Sequence, residues 1–320
     1  MIYLVDYSNQ GHRQTYGEIY EKNIADSKYI ILDSFIRYFK ILFTKNNVYF
    51  LTGDDNFIRT FFIGLCRSIL NKKTFMNYYH LDFYFKKDIK SKIKKFLINR
   101  QYKNITSFHF NEFKIDDLKG SNFTYISEFF FGFDFKEKVK SDKYTFFYGG
   151  AISKRKGFEQ LIEAFYNFSL NNKNFLLKIV GKIDSKEYLN NEKYISLIEQ
   201  NHILHINKRL DDKDFDKEIY TSDCVVIPYE KSFKSNSGIL AKAIFYNKQI
   251  LASNHGYIGD FLNLYQIGFK FDIDEIEEFL IAIEQSIGTD ISIDKYEELK
   301  NKHNINNVFH KIQNIQKGKN

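Results

Sequence analysis

Short apolar runs alternate with amphipathic segments along the whole chain. In the first half, the runs at residues 2–5, 47–51 and 74–79 predict strands, and helical spacing predicts helices over 29–43, 57–70 and 86–98. Further strands are predicted at residues 105–108 and 123–126. Because strands that alternate with helices are typical of parallel sheets, this pattern predicts an α/β domain.

The same alternation starts again after a charged segment at residues 136–143, which lacks hydrophobic periodicity. Strands are predicted at 144–148, 176–180, 203–206, 225–227 and 249–252, and helices at 158–171, 194–201, 215–221, 239–245 and 274–287. A basic helical tail is predicted over 296–315. The predicted domains are therefore 1–138 and 139–295, followed by a helix and tail over 296–320.

Composition agrees with two ordinary folded domains. The 320 residues are 43% apolar and carry a net charge of +7. Cys66 and Cys224 both lie in apolar contexts, which favours buried, reduced thiols. The chain contains no apolar run of about 20 residues, and its first residues lack the basic region of a signal peptide. These features together predict a cytoplasmic protein.

Two loops of the second half follow predicted strands and suit an anionic ligand. The first, at residues 149–157, reads GGAISKRKG, and the second, at 228–238, reads PYEKSFKSNSG. Pro228, the only proline in the chain, ends its strand, and the small residues from Ser235 to Gly238 suit the start of a helix. Lysines and free backbone N–H groups at helix N-termini favour negative charge. Because ligands of open α/β sheets bind at the carboxyl ends of strands, we expect the two loops to form one site.

Four stretches of the second half resemble the donor-binding domain of GT-B glycosyltransferases, in the GT4-like group (glycosyl transferases group 1). The stretches are FFYGGAISKRKGFEQLIEAF from Phe146, LLKIVGKID from Leu176, YTSDCVVIPYE from Tyr220 and SNSGILAKAIFYNKQILASNHG from Ser235. Their order and spacing agree with that group over about 130 residues. The first half resembles it only in outline.

The resemblance implies two Rossmann-like domains that face each other across a cleft, with a C-terminal helix that crosses back to the first domain. It implies transfer of a sugar from a nucleoside-diphosphate sugar to a surface glycan or a lipid-linked saccharide. Lys156 would contact the donor diphosphate, and Ser237 and Gly238 would offer it backbone amides. The full predicted donor site comprises Gly150, Lys154, Lys156, Tyr229, Ser235, Ser237 and Gly238.

The chain departs from the family pattern at three positions. Ala151 follows Gly150 where relatives often carry arginine, and Lys234 and Lys242 stand where two glutamates are usual. A variant of the family with a Pro-Tyr and Ser-Gly loop matches this chain instead. The ribose ligand, the donor base and the choice between retention and inversion therefore stay open. A non-catalytic partner subunit with the same fold is the alternative.

No cofactor or metal ion is expected. Backbone amides and a lysine can stabilise the leaving phosphate without a divalent ion. The sequence Asp272-Ile273-Asp274 resembles a metal-binding Asp-x-Asp, but it precedes a predicted helix, which favours a role as helix N-cap. The histidines show no metal-ligand spacing.

His12 and His80 are the candidate catalytic residues. His12 lies in the loop after the first strand and His80 at the end of a later strand. Either imidazole could orient or deprotonate an acceptor hydroxyl, or contact phosphate. The alternative for each is an ordinary surface histidine.

A basic segment, Lys86 to Lys103, holds eight Lys or Arg residues and one acidic residue. A solvated lysine face, peripheral contact with an anionic membrane at its cytosolic leaflet, and nucleic-acid binding are three alternatives. Because no nucleic-acid module is recognisable, nucleic acid is not expected as a partner. The apolar side of the segment favours membrane contact over nucleic acid.

Overall fold

The computed structural model describes residues 1–8, 13–81, 86–100, 102–118, 121, 123–136, 141–183 and 185–318. The chain forms two compact units. Unit 1 contains Met1–Phe129 and His303–Asn320, and unit 2 contains Phe130–Lys302. The units divide after Phe129, whereas the expected boundary at 138/139 lies outside the described residues. The expected tail over 296–320 is shared between the two units.

Unit 1 is a six-stranded parallel sheet with helices on both faces. Its strands are β1 (Ile2–Asp6), β2 (Ser27–Ile31), β3 (Asn47–Phe50), β4 (Thr74–Tyr78), β5 (Ile105–His109) and β6 (Phe123–Tyr125), in the order β2-β1-β3-β4-β5-β6. Its helices are α1 (Arg13–Asn23), α2 (Phe35–Phe43), α3 (Phe57–Ile69) and α4 (Ile89–Asn99), with the C-terminal helix Ile305–Gln316.

The predicted helix over 29–43 is wrong in its first part. Residues up to Ile31 belong to β2, which pairs in parallel with β1, and α2 starts only after Ser34. Periodicity alone does not separate a short buried strand from a helix in the apolar run YIILDSFIRYF. The strand signal was the β-branched pair Ile30 and Ile31, followed by Asp33 and Ser34.

Unit 2 is a second six-stranded parallel sheet. Its strands are β7 (Tyr144–Gly149), β8 (Phe175–Val180), β9 (Ile203–Ile206), β10 (Cys224–Ile227), β11 (Gln249–Ser253) and β12 (Phe269–Phe271), in the order β12-β11-β10-β7-β8-β9. Its helices are α5 (Phe158–Asn171), α6 (Lys186–Leu189), α7 (Glu192–Glu199), α8 (Asp212–Tyr220), α9 (Gly238–Phe245), α10 (Gly256–Tyr265), α11 (Ile276–Ser286) and α12 (Ile293–Lys302). This strand order is that of dinucleotide-binding Rossmann folds, which confirms the predicted fold class.

The expected tail helix is two helices rather than one. After α12, the chain leaves unit 2, and α13 (Ile305–Gln316) belongs to unit 1. Asn304 begins α13, and its side chain accepts a hydrogen bond from the backbone N–H of Asn306. Phe309 packs against Tyr20, with ring centroids 4.8 Å apart. The predicted return of the C-terminal helix to the first domain is therefore confirmed.

Each unit has its own apolar core. In unit 2, Phe146, Leu177 and Phe279 are fully buried in one cluster between the sheet and its helices. In unit 1, Val5, Phe50 and Met76 form the corresponding centre. Because both cores lie against parallel strands, the loops at the carboxyl ends of those strands are held on a rigid base.

Candidate active site

The two predicted donor loops follow adjacent strands of unit 2. The strand order reverses between β10 and β7, which lie side by side. Residues 150–157 follow β7 and residues 228–237 follow β10. Open α/β sheets bind ligands at such a switch point, beyond the carboxyl ends of the strands.

The loops are joined through their backbones. The N–H of Glu230 donates a hydrogen bond to the carbonyl oxygen of Arg155 over 3.1 Å. Gly157 adopts a left-handed conformation with φ of 67°, which ends the short 3₁₀ helix Lys154–Lys156 and starts α5. The first loop can approach the second this closely because Gly157 has no side chain.

The side chain of Lys156 lies over Tyr229. Its Nζ is 4.9 Å from the centroid of the Tyr229 ring, a cation–π distance. The same Nζ lies 3.1 Å from the position that a Cβ atom on Gly150 would take. Gly150 has φ of 96°, a conformation that favours glycine. Three predicted site residues, Gly150, Lys156 and Tyr229, therefore converge.

Ser237 and Gly238 begin α9, as the sequence predicted. The Ser237 hydroxyl accepts a hydrogen bond from the N–H of Leu240, and it lies 3.5 Å from the Tyr229 hydroxyl. Apart from the chain neighbours of Gly238 and the backbone of α9 itself, no described atom lies within 4 Å of where a Cβ on Gly238 would stand. The first N–H groups of a helix have no partners within it, so this open helix start can bind an anion next to a lysine.

The other two predicted donor residues occupy the margins of these loops. Lys154 is exposed and begins the 3₁₀ helix, while Ser235 is half-buried in the loop before α9. Arg155 lies between the two lysines, and its guanidinium carbon is 5.1 Å from the centroid of the Phe233 ring. Lys156 is the basic residue of this loop that reaches Tyr229.

The two lysines at the family's glutamate positions have different surroundings. Lys234 is exposed, whereas the Nζ of Lys242 lies 2.7 Å from Oδ2 of Asp216 on α8. The hydroxyl of Tyr246 donates to the same oxygen over 2.7 Å. Burial raises the pKa of Asp216, and the positive charge of Lys242 opposes that shift. Position 242 is thus part of a buried ion pair that holds α8 and α9 together.

The expected capping role of Asp272 and Asp274 is wrong. Glu275 takes the N-cap position of α11, and both aspartates pair instead with Nζ of Lys231, at 2.8 and 2.7 Å. Hydrogen bonding to Lys231 lowers the pKa of Asp272. In the described part of the chain, no group of three or more His, Cys, Asp or Glu side chains is arranged to hold a metal ion.

Of the two candidate histidines, only His80 lies within the described residues. His80 is exposed beyond the end of β4, and its backbone N–H donates to Oδ2 of Asp54 over 2.9 Å. The same oxygen accepts from the N–H of Tyr79. Burial raises the pKa of Asp54. His12 belongs to residues 9–12, which lie outside the described part.

The predicted site residues do not include an ionic network at the carboxyl edge of the unit 1 sheet. Asp6 is buried at the end of β1, where it accepts a hydrogen bond from Thr52 and faces Arg13 at 3.6 Å. Arg13 also pairs with Asp55. Burial raises the pKa of Asp6. An aspartate that closes an apolar strand, followed by the run TGDD after β3, was the available signal.

A family model decides the identity of the chain. The model described as "Glycosyl transferases group 1" matches residues 131–306, more than half of the sequence. The chain belongs to this glycosyltransferase family. It is therefore a transferase, as the resemblance implied. A search of curated proteins found no match.

Solved glycosyltransferase structures share the fold of this glycosyltransferase over nearly its full length. HepE from Anabaena, in complex with UDP and glucose, is 14% identical with a TM-score of 0.71, covering 99% of both chains. Sucrose-phosphate synthase from Thermosynechococcus elongatus is 13% identical with a TM-score of 0.72, covering 99% of this chain and 98% of the other. A glycosyltransferase from Rickettsia africae is 15% identical with a TM-score of 0.72, covering 99% and 97%. At these identities the likeness concerns the fold.

Proposed function

We propose that this glycosyltransferase moves a sugar from a nucleoside-diphosphate sugar to a saccharide acceptor, a surface glycan or a lipid-linked saccharide, without a divalent metal ion. The observation that carries the proposal is the convergence of Lys156, Gly150 and Tyr229 beside the open N-terminus of α9. This arrangement places one positive charge and several N–H donors at the switch point of a Rossmann-like sheet.

The chemistry needs these groups. The bond between the anomeric carbon and the diphosphate oxygen breaks, and a bond from that carbon to an acceptor hydroxyl oxygen forms. The leaving diphosphate gains negative charge as the bond breaks. A lysine and preorganised backbone amides stabilise that charge more in the transition state than in the ground state, which is what accelerates a reaction.

The relatives support a nucleoside-diphosphate donor. A structure of Anabaena HepE contains UDP-glucose, and a structure of S. aureus TarM contains UDP. A uridine diphosphate sugar is accordingly the first donor to test. The acceptor proton would pass to a base, for which His80 and His12 remain the candidates.

The first experiment is a thermal-shift screen of the full chain against a panel of nucleotide sugars, with nucleotide release measured for each hit. A donor that binds only the native state at 100 times its Kd adds about 2.7 kcal/mol of apparent stability. The matching nucleoside, which lacks the diphosphate, is the control and should give no shift. If no nucleotide sugar stabilised the protein or was consumed, the proposed donor site would be wrong.

A further inference from the structure

Three helices of unit 1 lie on the same face of its sheet. α2, α3 and α4 connect β2 to β3, β3 to β4 and β4 to β5, and all three connections run in one direction across the sheet. Right-handed crossovers in one direction place their helices on one face, whereas α1 runs the opposite way and lies on the other. α2 packs beside α3, and Nζ of Lys94 on α4 lies 5.1 Å from the centroid of the Phe57 ring on α3.

The outer surface of these helices, called here the α2–α4 face, is unusually apolar. It carries ten of the 21 exposed large apolar side chains of the described residues, on helices that contain 33 residues. All exposed phenylalanines of the described residues are among them. The ten are Phe35, Ile36, Phe39, Phe43, Ile58, Phe62, Ile69, Ile89, Ile93 and Phe96. Exposed apolar side chains concentrated in this way mark an interaction site.

α2 contributes an exposed row of aromatic rings. Phe35, Phe39 and Phe43 follow one another at four-residue intervals, with ring centroids 4.9 and 5.5 Å apart. On the opposite side of the same helix, Ile41 is fully buried in the core. The exposed aromatic row is therefore not needed for packing within unit 1.

The charge of the α2–α4 face has one sign. The three helices contain eight basic residues and no acidic residue, while the rest of the chain contains 39 basic and 40 acidic residues. Arg67 is buried and donates to backbone carbonyls. Lys94 is half-buried over the Phe57 ring, and Arg37 pairs with Asp33, which lies just before α2. The other five basic side chains are exposed, namely Lys40, Arg59, Lys90, Lys92 and Lys95. The net positive charge of the protein is thus concentrated here.

We infer that the α2–α4 face docks on an anionic lipid bilayer, with the phenylalanine row of α2 inserted among the acyl chains near the headgroups. Apolar rings insert at the boundary between headgroups and acyl chains, while long basic side chains extend to lipid phosphates. A second copy of the chain is disfavoured as the occupant, because a symmetric contact would bring like charges together. A protein partner is disfavoured because lysine is depleted in protein interface cores.

The inference extends the expected membrane contact from the segment Lys86 to Lys103 to all three helices. It does not depend on the proposed reaction, because lipid binding and sugar transfer are measured separately. Nucleic acid would use the basic groups but would leave the exposed phenylalanines in water.

The test is flotation of the full-length protein with vesicles of phosphatidylcholine alone or of equal parts phosphatidylcholine and phosphatidylglycerol. We expect binding to the anionic vesicles that weakens as ionic strength rises. The double variant Phe35→Gln/Phe39→Gln should reduce partitioning on the order of tenfold or more, since each ring loses its burial in lipid. Neutralisation in Lys90→Gln/Lys92→Gln should weaken binding to anionic vesicles most strongly at low salt.

Matched controls lie on unit 2. Leu170→Gln/Ile281→Gln removes two exposed apolar side chains, and Lys213→Gln/Lys217→Gln removes two exposed charges. Both controls should bind vesicles as the unaltered protein does, and all variants should keep its melting temperature. Absence of vesicle binding at low salt would overturn the inference. Equal vesicle binding by Phe35→Gln/Phe39→Gln and by the unaltered protein would also overturn it. The same holds if the phenylalanine variant loses a dimer or a complex with duplex DNA but still binds vesicles.

Discussion

The carbonyl oxygen of Pro228 occupies the space that a side chain on Gly157 would need. A Cβ atom built on Gly157 would lie 1.6 Å from that oxygen. Since Gly157 also has φ of 67°, both its backbone conformation and its surroundings require glycine. The single proline of the chain and this glycine therefore fix the distance between the two donor loops.

Gly157→Ala should destabilise unit 2 and displace the donor loops. We expect a loss of at least about 3 kcal/mol in the free energy of unfolding, measured by urea denaturation, because left-handed strain adds to a backbone clash. Gly288→Ala is the matched control. Gly288 has φ of 77°, but apart from its chain neighbours no described residue has an atom within 4 Å of its Cβ position, so only the strain of about 1 kcal/mol applies. Equal losses in the two variants would show that the contact with Pro228 is unimportant.

Lys156→Ala should reduce the rate of sugar transfer by roughly 10²- to 10³-fold, because a positive group facing the leaving diphosphate is lost. Steady-state kinetics with the donor found by the thermal-shift screen would measure this. Lys154→Ala should have a smaller effect, since Lys154 is exposed, and Lys213→Ala on the surface of α8 should have none. If the Lys156→Ala enzyme had normal kcat and KM, the assignment of Lys156 to the donor site would be wrong.

Much of the donor site could be predicted because its signals are local. The runs at β7 and β10 end in glycine or proline, and each is followed by a loop and an amphipathic helix. Parallel sheets bring the carboxyl ends of adjacent strands together, so the approach of the loop at Gly150 to the loop at Ser237 follows from the fold class. The limits of α5 and α9 were predicted to within one residue for the same reason.

Features that depend on distant residues could not be predicted in this way. Asp216 and Lys242 lie on different helices, and nothing in either local sequence indicates that they pair. The same holds for Arg13 and Asp6, which are joined only when α1 packs beside β1. The exposure of the phenylalanines on α2 could not be predicted either, because an apolar helix has the same sequence pattern whether or not a partner covers it.

Lys242→Met should destabilise unit 2 by about 3 kcal/mol, because it leaves the buried carboxylate of Asp216 without its positive partner. Adding Asp216→Asn to Lys242→Met should recover part of this loss, since the unpaired charge is removed. Urea denaturation of the two single variants and the double variant gives the coupling energy. The exposed pair Lys114 and Asp117 is the control, and Lys114→Met should change stability by about 0.5 kcal/mol at most. Additive losses at positions 216 and 242 would show that the two residues do not act as a pair.

The stability of unit 1 should fall as the pH falls from about 6.5 to about 4, because of His109. This side chain is buried at the end of β5, where it contacts the rings of Phe123 and Tyr125. Burial lowers the pKa of His109 to about 4, and the nearby charge of Lys311 acts in the same direction.

Proton binding determines the direction of this change in stability with pH. Between pH 6.5 and 4 the unfolded chain binds a proton at this position and the folded chain does not, so acidification favours unfolding by up to roughly 3 kcal/mol. His109→Phe should lack this loss of stability on acidification. The measurement is the change in unfolding free energy between pH 7 and pH 4.5, compared between His109→Phe and the unaltered protein. His310→Gln, on the exposed side of α13, should keep it. If His109→Phe and the unaltered protein lost equal stability on acidification, His109 would not be the group responsible.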